Sequence, residues 1–190
     1  MKVGVLALQG AFREHRQALE KLGAEVVEVR KKEHLEGLSG LVIPGGESTT
    51  IGKLLIDFGL LDEIKGMAQV GFPVFGTCAG LILLSREISG MQQPTLGLMN
   101  MTAKRNAFGR QVDSFEIDLD VKGFDGEPIR AVFIRAPYVE AVADEVEVLA
   151  TYQEKIVLVQ QGNLLAAAFH PELTDDIRLH QYFLDICKSY

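Results

Sequence analysis

Two rhythms of apolar residues run through this chain. In the first half, short unbroken apolar runs alternate with segments whose apolar residues recur at helical spacing. Residues 3–8 form one such run, which predicts a central strand buried on both faces. Phe12, His15/Arg16, Leu19 and Leu22 then keep a helical period, and Gly23 stands where a helix is stopped by a left-handed residue. Residues 26–29 and 41–43 predict the next two strands, the latter broken by Pro44-Gly45-Gly46. Ser48 or Thr49 is placed to cap a helix running to Phe58, and residues 61–69 predict another. Pro73-Val74-Phe75, a glycine-flanked turn and Leu81-Ile82-Leu83-Leu84 read as strand, turn and helix.

The second half changes rhythm. Residues 112–119, 129–134, 146–152, 156–161 and 164–169 are short strand candidates joined by turns such as Asp125-Gly126 and Gln161-Gly162-Asn163. A helix over 175–188 follows. The pattern predicts an α/β fold of three layers: a mostly parallel, doubly wound sheet with an antiparallel extension. No repeat, low-complexity segment or linker interrupts it, so residues 1–190 are expected to form one domain. A chain of that length buries roughly 70% of its unfolded surface. In such sheets the loops at the carboxyl ends of the strands build the site, here those starting at Gln9, Pro44, Gly76 and His170.

Composition narrows the class. A net charge of −7 argues against nucleic acid or an anionic membrane as the main partner. No apolar run approaches the ~20 residues a membrane span needs. Met1-Lys2-Val3-Gly4-Val5 leads directly into a strand, without the layout of a signal peptide. Two cysteines cannot build a disulfide framework. A reducing, cytoplasmic setting is therefore expected.

The candidate chemistry lies in two motifs far apart. In Gly76-Thr77-Cys78-Ala79-Gly80, the thiol sits on a strand-to-helix turn with small residues on both sides. This is the nucleophile-elbow geometry, with the cysteine at a helix N-terminus that favours the thiolate. In His170-Pro171-Glu172, residues two apart on extended chain share a face, so Glu172 is placed to orient the His170 imidazole. Cys78, His170 and Glu172 thus make a candidate nucleophile, base and orienter. A core cysteine and a strand-ending turn are the bland alternatives; together the two motifs outweigh them. The Gly45-Gly46 step permits a peptide orientation that aims an N–H at developing charge, so Gly46 with Ala79 is the candidate oxyanion hole. His15, His34 and His180 lie in or near helical patterns without metal-ligand spacing and are expected to be solvated or packing residues. Cys187 is expected to be a packing or surface residue and Met91, Met99 and Met101 to be gap fillers, and Pro44-Gly45-Gly46-Glu47-Ser48 lacks the lysine and spacing of a P-loop. No metal or cofactor is required by this chemistry.

The two motifs resemble those of the class I (triad) glutamine amidotransferases. Leu6-Ala7-Leu8-Gln9-Gly10, Pro44-Gly45-Gly46-Glu47-Ser48-Thr49-Thr50, the segment from Arg105 to Gln111, and Phe133-Ile134-Arg135-Ala136-Pro137 narrow the likeness to the glutaminase subunits of pyridoxal 5′-phosphate synthase. The resemblance covers essentially the whole chain. It implies hydrolysis of L-glutamine to glutamate and ammonia, and delivery of the ammonia to a barrel-shaped synthase partner. It also implies that Gly46, Glu47 and Ser48 bind glutamine, with Gln9, Arg105, Ile134 and Arg135 in supporting roles. Arg105 is a fitting charge partner for the substrate α-carboxylate. The rival readings are a glutaminase serving another acceptor, a related-fold binding module without activity, and a peptidase.

Overall fold

The computed structural model describes residues 1–106, 108 and 114–190. Its strands and helices run Lys2–Leu6 (β1), Phe12–Lys21 (α1), Glu25–Val29 (β2), Gly40–Ile43 (β3), Ser48–Asp57 (α2), Leu60–Gln69 (α3), Val74–Thr77 (β4) and Ala79–Leu84 (α4). They continue as Ser85–Ile88 (β5), Met99–Lys104 (β6), Ser114–Leu119 (β7), Ile129–Ile134 (β8), Tyr138–Val142 (β9), Glu147–Tyr152 (β10), Lys155–Gln161 (β11), Leu164–Ala167 (β12) and Arg178–Ser189 (α5). Short 3-10 turns occupy Lys32–Leu35 and Pro171–Leu173.

The main sheet has the order β2-β1-β3-β4-β12-β11-β9-β6-β5, with β10 added on β11. From β2 to β12 every pairing is parallel, and β11 then runs antiparallel to β12. The parallel strands are apolar because both of their faces are covered. β4 shows how. Phe75 and Thr77 point to one face, where the Phe75 ring lies 5.5 Å from Phe183 of α5 and 6.3 Å from His15 of α1. Gly76 points to the other, where an added Cβ would lie 2.5 Å from the Gly80 backbone and 2.8 Å from Leu84 of α4. These two packed faces are the three layers that the apolar rhythm predicts. Among the described residues no helix is long and apolar enough to cross a membrane.

The antiparallel extension differs from expectation in two ways. β7 and β8 pair with each other as a separate two-stranded sheet and do not extend the main one. Residues 112 and 113 of the strand predicted over 112–119 lie outside the described residues. β5, β6 and β9 were not foreseen. β6 alternates buried Met99, Met101 and Ala103 with wetter neighbours, but Met, Asn and Ala are poor strand formers, which hides the period. Met99 and Met101 are therefore core residues, whereas Met91 is 36% exposed and is no gap filler. Two boundaries also move. α5 starts at Arg178, after Asp176 bonds the Arg178 N–H and guanidinium, rather than at residue 175. And α2 is capped by the residue before the expected pair: the Glu47 carboxylate accepts the Thr49 and Thr50 N–H groups at 3.3 and 2.9 Å. Ser48 and Thr49 lie one and two places too late to reach those donors, and Ser48 turns instead to Gln93.

Candidate active site

The carboxyl ends of β1, β3, β4 and β12 converge on one cavity of about 400 Å³, walled by Gly45 to Ser48, Cys78, Ala79 and His170 among others. The Cys78 backbone takes φ 51° and ψ −102°, a left-handed conformation that a residue with a Cβ adopts only under strain. Three contacts hold it. The Cys78 N–H donates to the Ala167 carbonyl at 2.8 Å, tying the turn to β12. Gly76 and Gly80 lack the side chains that would drive α4 off β4 and off the Ile43 carbonyl of β3. Cys78 is 8% exposed and lines the cavity. α4 is only six residues long, and the N–H of its first residue, Ala79, has no intrahelical acceptor.

His170 follows β12, and its N–H donates to the Val132 carbonyl of β8 at 2.8 Å. Its ring lies beside Cys78 with Gly45 packed against both. A Cβ on Gly45 would fall 2.5 Å from His170 Cε1 and 3.3 Å from Cys78 Cβ. His170 Nδ1 is 2.7 Å from Glu172 Oε1, so Nδ1 donates and Nε2 is left for chemistry. Burial pulls the His170 pKa down, but hydrogen bonding with Cys78 and Glu172 wins and lifts it to about 10. Burial pushes the Glu172 carboxyl up, but its electrostatic interaction with His15 and the bond from His170 bring it below the ordinary carboxylate value. Glu172 itself stands behind His170, outside the cavity wall.

The residues carried over by resemblance divide. Gly46, Glu47, Ser48, Arg105, Ile134 and Arg135 line the cavity. Gln9 does not; its Oε1 accepts the Glu47 N–H at 2.8 Å and so braces the glycine loop from behind. Glu47 is bonded by Thr49 and Thr50, which outweighs its partial burial and lowers its pKa to about 2. Arg105 Nη2 pairs with Glu47 Oε1 at 3.2 Å, and Nη1 reaches Gln93 Oε1 at 3.4 Å. Of the Arg105–Gln111 segment, Ala107 and residues 109–111 lie outside the described residues. The Ile134 carbonyl is 4.0 Å from the Cys78 sulfur, and Arg135 next to it has a left-handed φ of 44°. Cys187 is 4% exposed against Gly40 and Phe183, and burial pushes its thiol up to about 12.

Pattern reading missed two features. Gln93 accepts from both Ser48 and Arg105, a bridge built from a loop that carries no periodic signal. His15 and His180 are fully buried and bonded to each other, with His15 also against Glu172. The one cue available was a histidine on the apolar face of α1. His34, by contrast, is half-buried and accepts the Arg30 N–H at 3.2 Å.

Comparison with known proteins adds to this geometry. The pyridoxal 5′-phosphate synthase subunit PdxT of Moorella thermoacetica is 62% identical over 184 residues, covering 97% of this chain and 98% of the relative. Its counterpart in Pelotomaculum thermopropionicum is 64% identical over 187 residues, covering 98% and 95%. A solved structure described as a glutamine amidotransferase superposes with a TM-score of 0.94 at 56% identity, covering 98% of each chain. The structure of PurLQS from Thermotoga maritima shares the fold alone, with a TM-score of 0.73 at 21% identity, covering 97% of each chain. Residues 5–189 match one family along nearly their whole length, and the chain belongs to it: the SNO glutamine amidotransferase family.

Proposed function

We propose that this chain is the glutamine-hydrolysing subunit of a pyridoxal 5′-phosphate synthase, in which Cys78, His170 and Glu172 release ammonia from L-glutamine for a separate synthase subunit. The observation that carries the chemistry is the His170–Glu172 bond of 2.7 Å behind a ring that faces Cys78 across Gly45. The full-length likeness to the PdxT subunits supports the assignment of acceptor pathway. The 190 residues act as one glutaminase domain, and we place the protein in the cytoplasm.

In this mechanism the Cys78 sulfur attacks the side-chain amide carbon of glutamine, and the carbonyl oxygen becomes an oxyanion. The N–H groups of Gly46 and Ala79 stabilise that charge. His170, protonated at neutral pH, gives its Nε2 proton to the departing nitrogen, and the C–N bond breaks to leave ammonia and a glutamyl thioester. The neutral ring then takes a proton from water, which attacks the thioester and frees glutamate. Glu172 holds the ring tautomer and balances its charge throughout. Gly46, Glu47 and Ser48 hold the amino-acid end of the substrate, with Ile134 and Arg135 on the facing wall. Arg105 is the partner for the α-carboxylate, for which it exchanges its contact with Glu47. Gln9 acts indirectly, by holding the Glu47 backbone.

The Gly45 carbonyl accepts the Ala11 N–H at 3.0 Å, so in a trans peptide the Gly46 N–H faces the other way. Because glycine allows both orientations of this peptide, docking of the synthase at the Gly10 and Gly45 loops is read as the step that sets the oxyanion donor. Glutamate release by the purified chain, titrated with the synthase subunit, tests the whole assignment. Turnover should rise with the synthase and vanish in Cys78→Ala. Glutamate release that survives Cys78→Ala would overturn it.

A further inference from the structure

The carboxylate of Glu172 has two oxygens, and the triad uses one. Oε2 makes no hydrogen bond; it lies at ion-pair distance, 3.3 Å, from Nε2 of His15, with both side chains wholly buried. His15 belongs to α1, and its Nε2 is also 2.9 Å from Oγ1 of Thr77, the residue before the nucleophile. On the far side of the ring, His15 Nδ1 is 2.8 Å from His180 Nε2 of α5. A line of side chains therefore runs inward from Cys78 through His170, Glu172 and His15 to His180.

The ring protons in this line follow from what each nitrogen faces. His180 Nδ1 is buried without a partner. A buried N–H without an acceptor is rarer and costlier than a bare lone pair, so the His180 proton sits on Nε2 and is donated to His15 Nδ1. The His15 proton then sits on Nε2, facing the Glu172 carboxylate and the Thr77 hydroxyl. The reverse arrangement would set the His15 lone pair against an anion and strand a proton on His180. Burial, with the field of Glu172 opposing it, lowers the pKa of His15; burial and the field of His15 lower that of His180 to about 3. Both rings are thus neutral at physiological pH.

We propose that His15 is a positioning residue of the triad: its Nε2–H, oriented by His180 and bonded to Thr77, lies against Oε2 of Glu172 and by electrostatic attraction keeps Oε1 aimed at His170. The proposal rests on the triad reading above. A carboxylate sunk this deep needs polar neighbours to stay charged and in place, and for Oε2, which makes no hydrogen bond, His15 Nε2 is the neighbour at ion-pair distance. The groups that bear on it are His170 from its own turn, His15 from α1, Thr77 from β4 and His180 from α5, with Glu14 of α1 adding a weaker field at His15. If His15 is lost, Glu172 supports the His170 imidazolium less, and the Cys78 thiolate that pairs with it forms at higher pH.

The test reads that thiolate directly. In the free chain, iodoacetamide alkylation of Cys78 is followed against pH; Cys187 is silent because it is buried and its thiol is pushed up to about 12. His15→Leu should raise the alkylation midpoint by about one pH unit. In complex with the synthase it should lower kcat about tenfold with KM for glutamine unchanged, because no substrate contact is touched. His15→Gln, which keeps a side-chain N–H of similar reach, should restore most of both. His180→Phe fills the space while freeing the His15 tautomer and should shift the midpoint the same way by less, which keeps the test open if His15→Leu fails to fold. In a Glu172→Gln background, His15→Leu should cause no further shift, because its effect passes through the carboxylate. A wild-type midpoint in both His15→Leu and His180→Phe, or an equal shift in the Glu172→Gln background, would overturn the role of His15 while leaving the triad standing. If Glu172→Gln alone changed neither midpoint nor turnover, the triad reading would fail and this proposal with it.

Discussion

Cys78 holds a positive φ at the head of α4, a strained backbone that fits the proposed role of its sulfur as nucleophile. Sparse backbone conformations of this kind cost on the order of 1–3 kcal/mol, held here by the Ala167 hydrogen bond and the two glycines. Cys78→Ser keeps the size of the side chain, so the melting temperature should stay within a few degrees of wild type. Glutamate release in the synthase complex should nevertheless fall by at least ~10³, since the hydroxyl is a far weaker nucleophile. An electrophilic glutamine analogue should label Cys78 and spare Cys187, a contrast that mass spectrometry of the modified peptides decides. Gly45 gives a sharper test of geometry. In Gly45→Ala the new methyl would meet the His170 ring at 2.5 Å, so it should displace the ring and cost activity much more than stability. If Gly45→Ala turns over normally, His170 does not work from the position seen here.

At the scale of elements, two junctions shape the site. α4 reaches β3 and β4 only because Gly80 and Gly76 allow backbone contact, and the elbow exists because of that approach. Gly80→Ala should destabilise the protein by about 1–3 kcal/mol, the usual cost of overpacking, read as a lower urea midpoint with little change in slope. An unchanged midpoint would mean that α4 moves freely and that the elbow is not clamped. The other junction is the start of α2. Glu47 both caps this helix and pairs with Arg105. Glu47→Ala should cost about 1 kcal/mol as a lost cap. It should also release Arg105, so a rise in KM for glutamine marks Glu47 as a substrate contact, while an unchanged KM confines it to capping. The capping signal was legible in Glu47-Ser48-Thr49 but read one residue late, because Ser, Thr and Glu side chains all accept hydrogen bonds. Only the backbone of Glu47, extended at φ −101°, shows which residue stands outside the helix.

The whole molecule links the site to its stability through protons. The folded-state pKa of His170 is about 10 against 6.5 unfolded, so its contribution is full below about 6.5 and is lost as pH rises towards 10. His180 is the reverse: lowered from 6.5 to about 3, it contributes fully above 6.5 and loses that contribution as pH falls. His15 is lowered too and acts in the same direction. Glu172, lowered from 4.5, adds a further loss at the acid end. Stability should therefore peak near pH 6.5 and fall on both sides, each histidine adding a slope of ~1.4 kcal/mol per pH unit within its window. Urea unfolding across this range checks it. His180→Phe should flatten the acid limb, and Cys78→Ala the alkaline one, because Cys78 helps to hold the His170 proton. A stability that rises steadily from pH 6.5 to pH 10 would contradict the charge assignment at His170.

Much of this protein can be read along the chain, and the reason is that its chemistry is local in sequence. The elbow places Cys78 by its own neighbours, and His170 and Glu172 meet because they are two residues apart, though across a 3-10 turn beginning at Pro171 and not on the extended chain expected. The parallel half of the sheet is legible because strands covered on both faces are continuously apolar. Tertiary structure alone decided the rest. It inserted β12 between β4 and β11, which is what brings His170 to Cys78. It set the weak strand formers of β6 between β9 and β5 in the main sheet, and set β7 and β8 apart as a pair of their own. It carried His15 and His180, 165 residues apart, to the back of Glu172. Local signals report what a segment does to its own backbone. Which buried polar group meets which is settled by the packing of the whole sheet, where a histidine on an apolar helix face must find its partner.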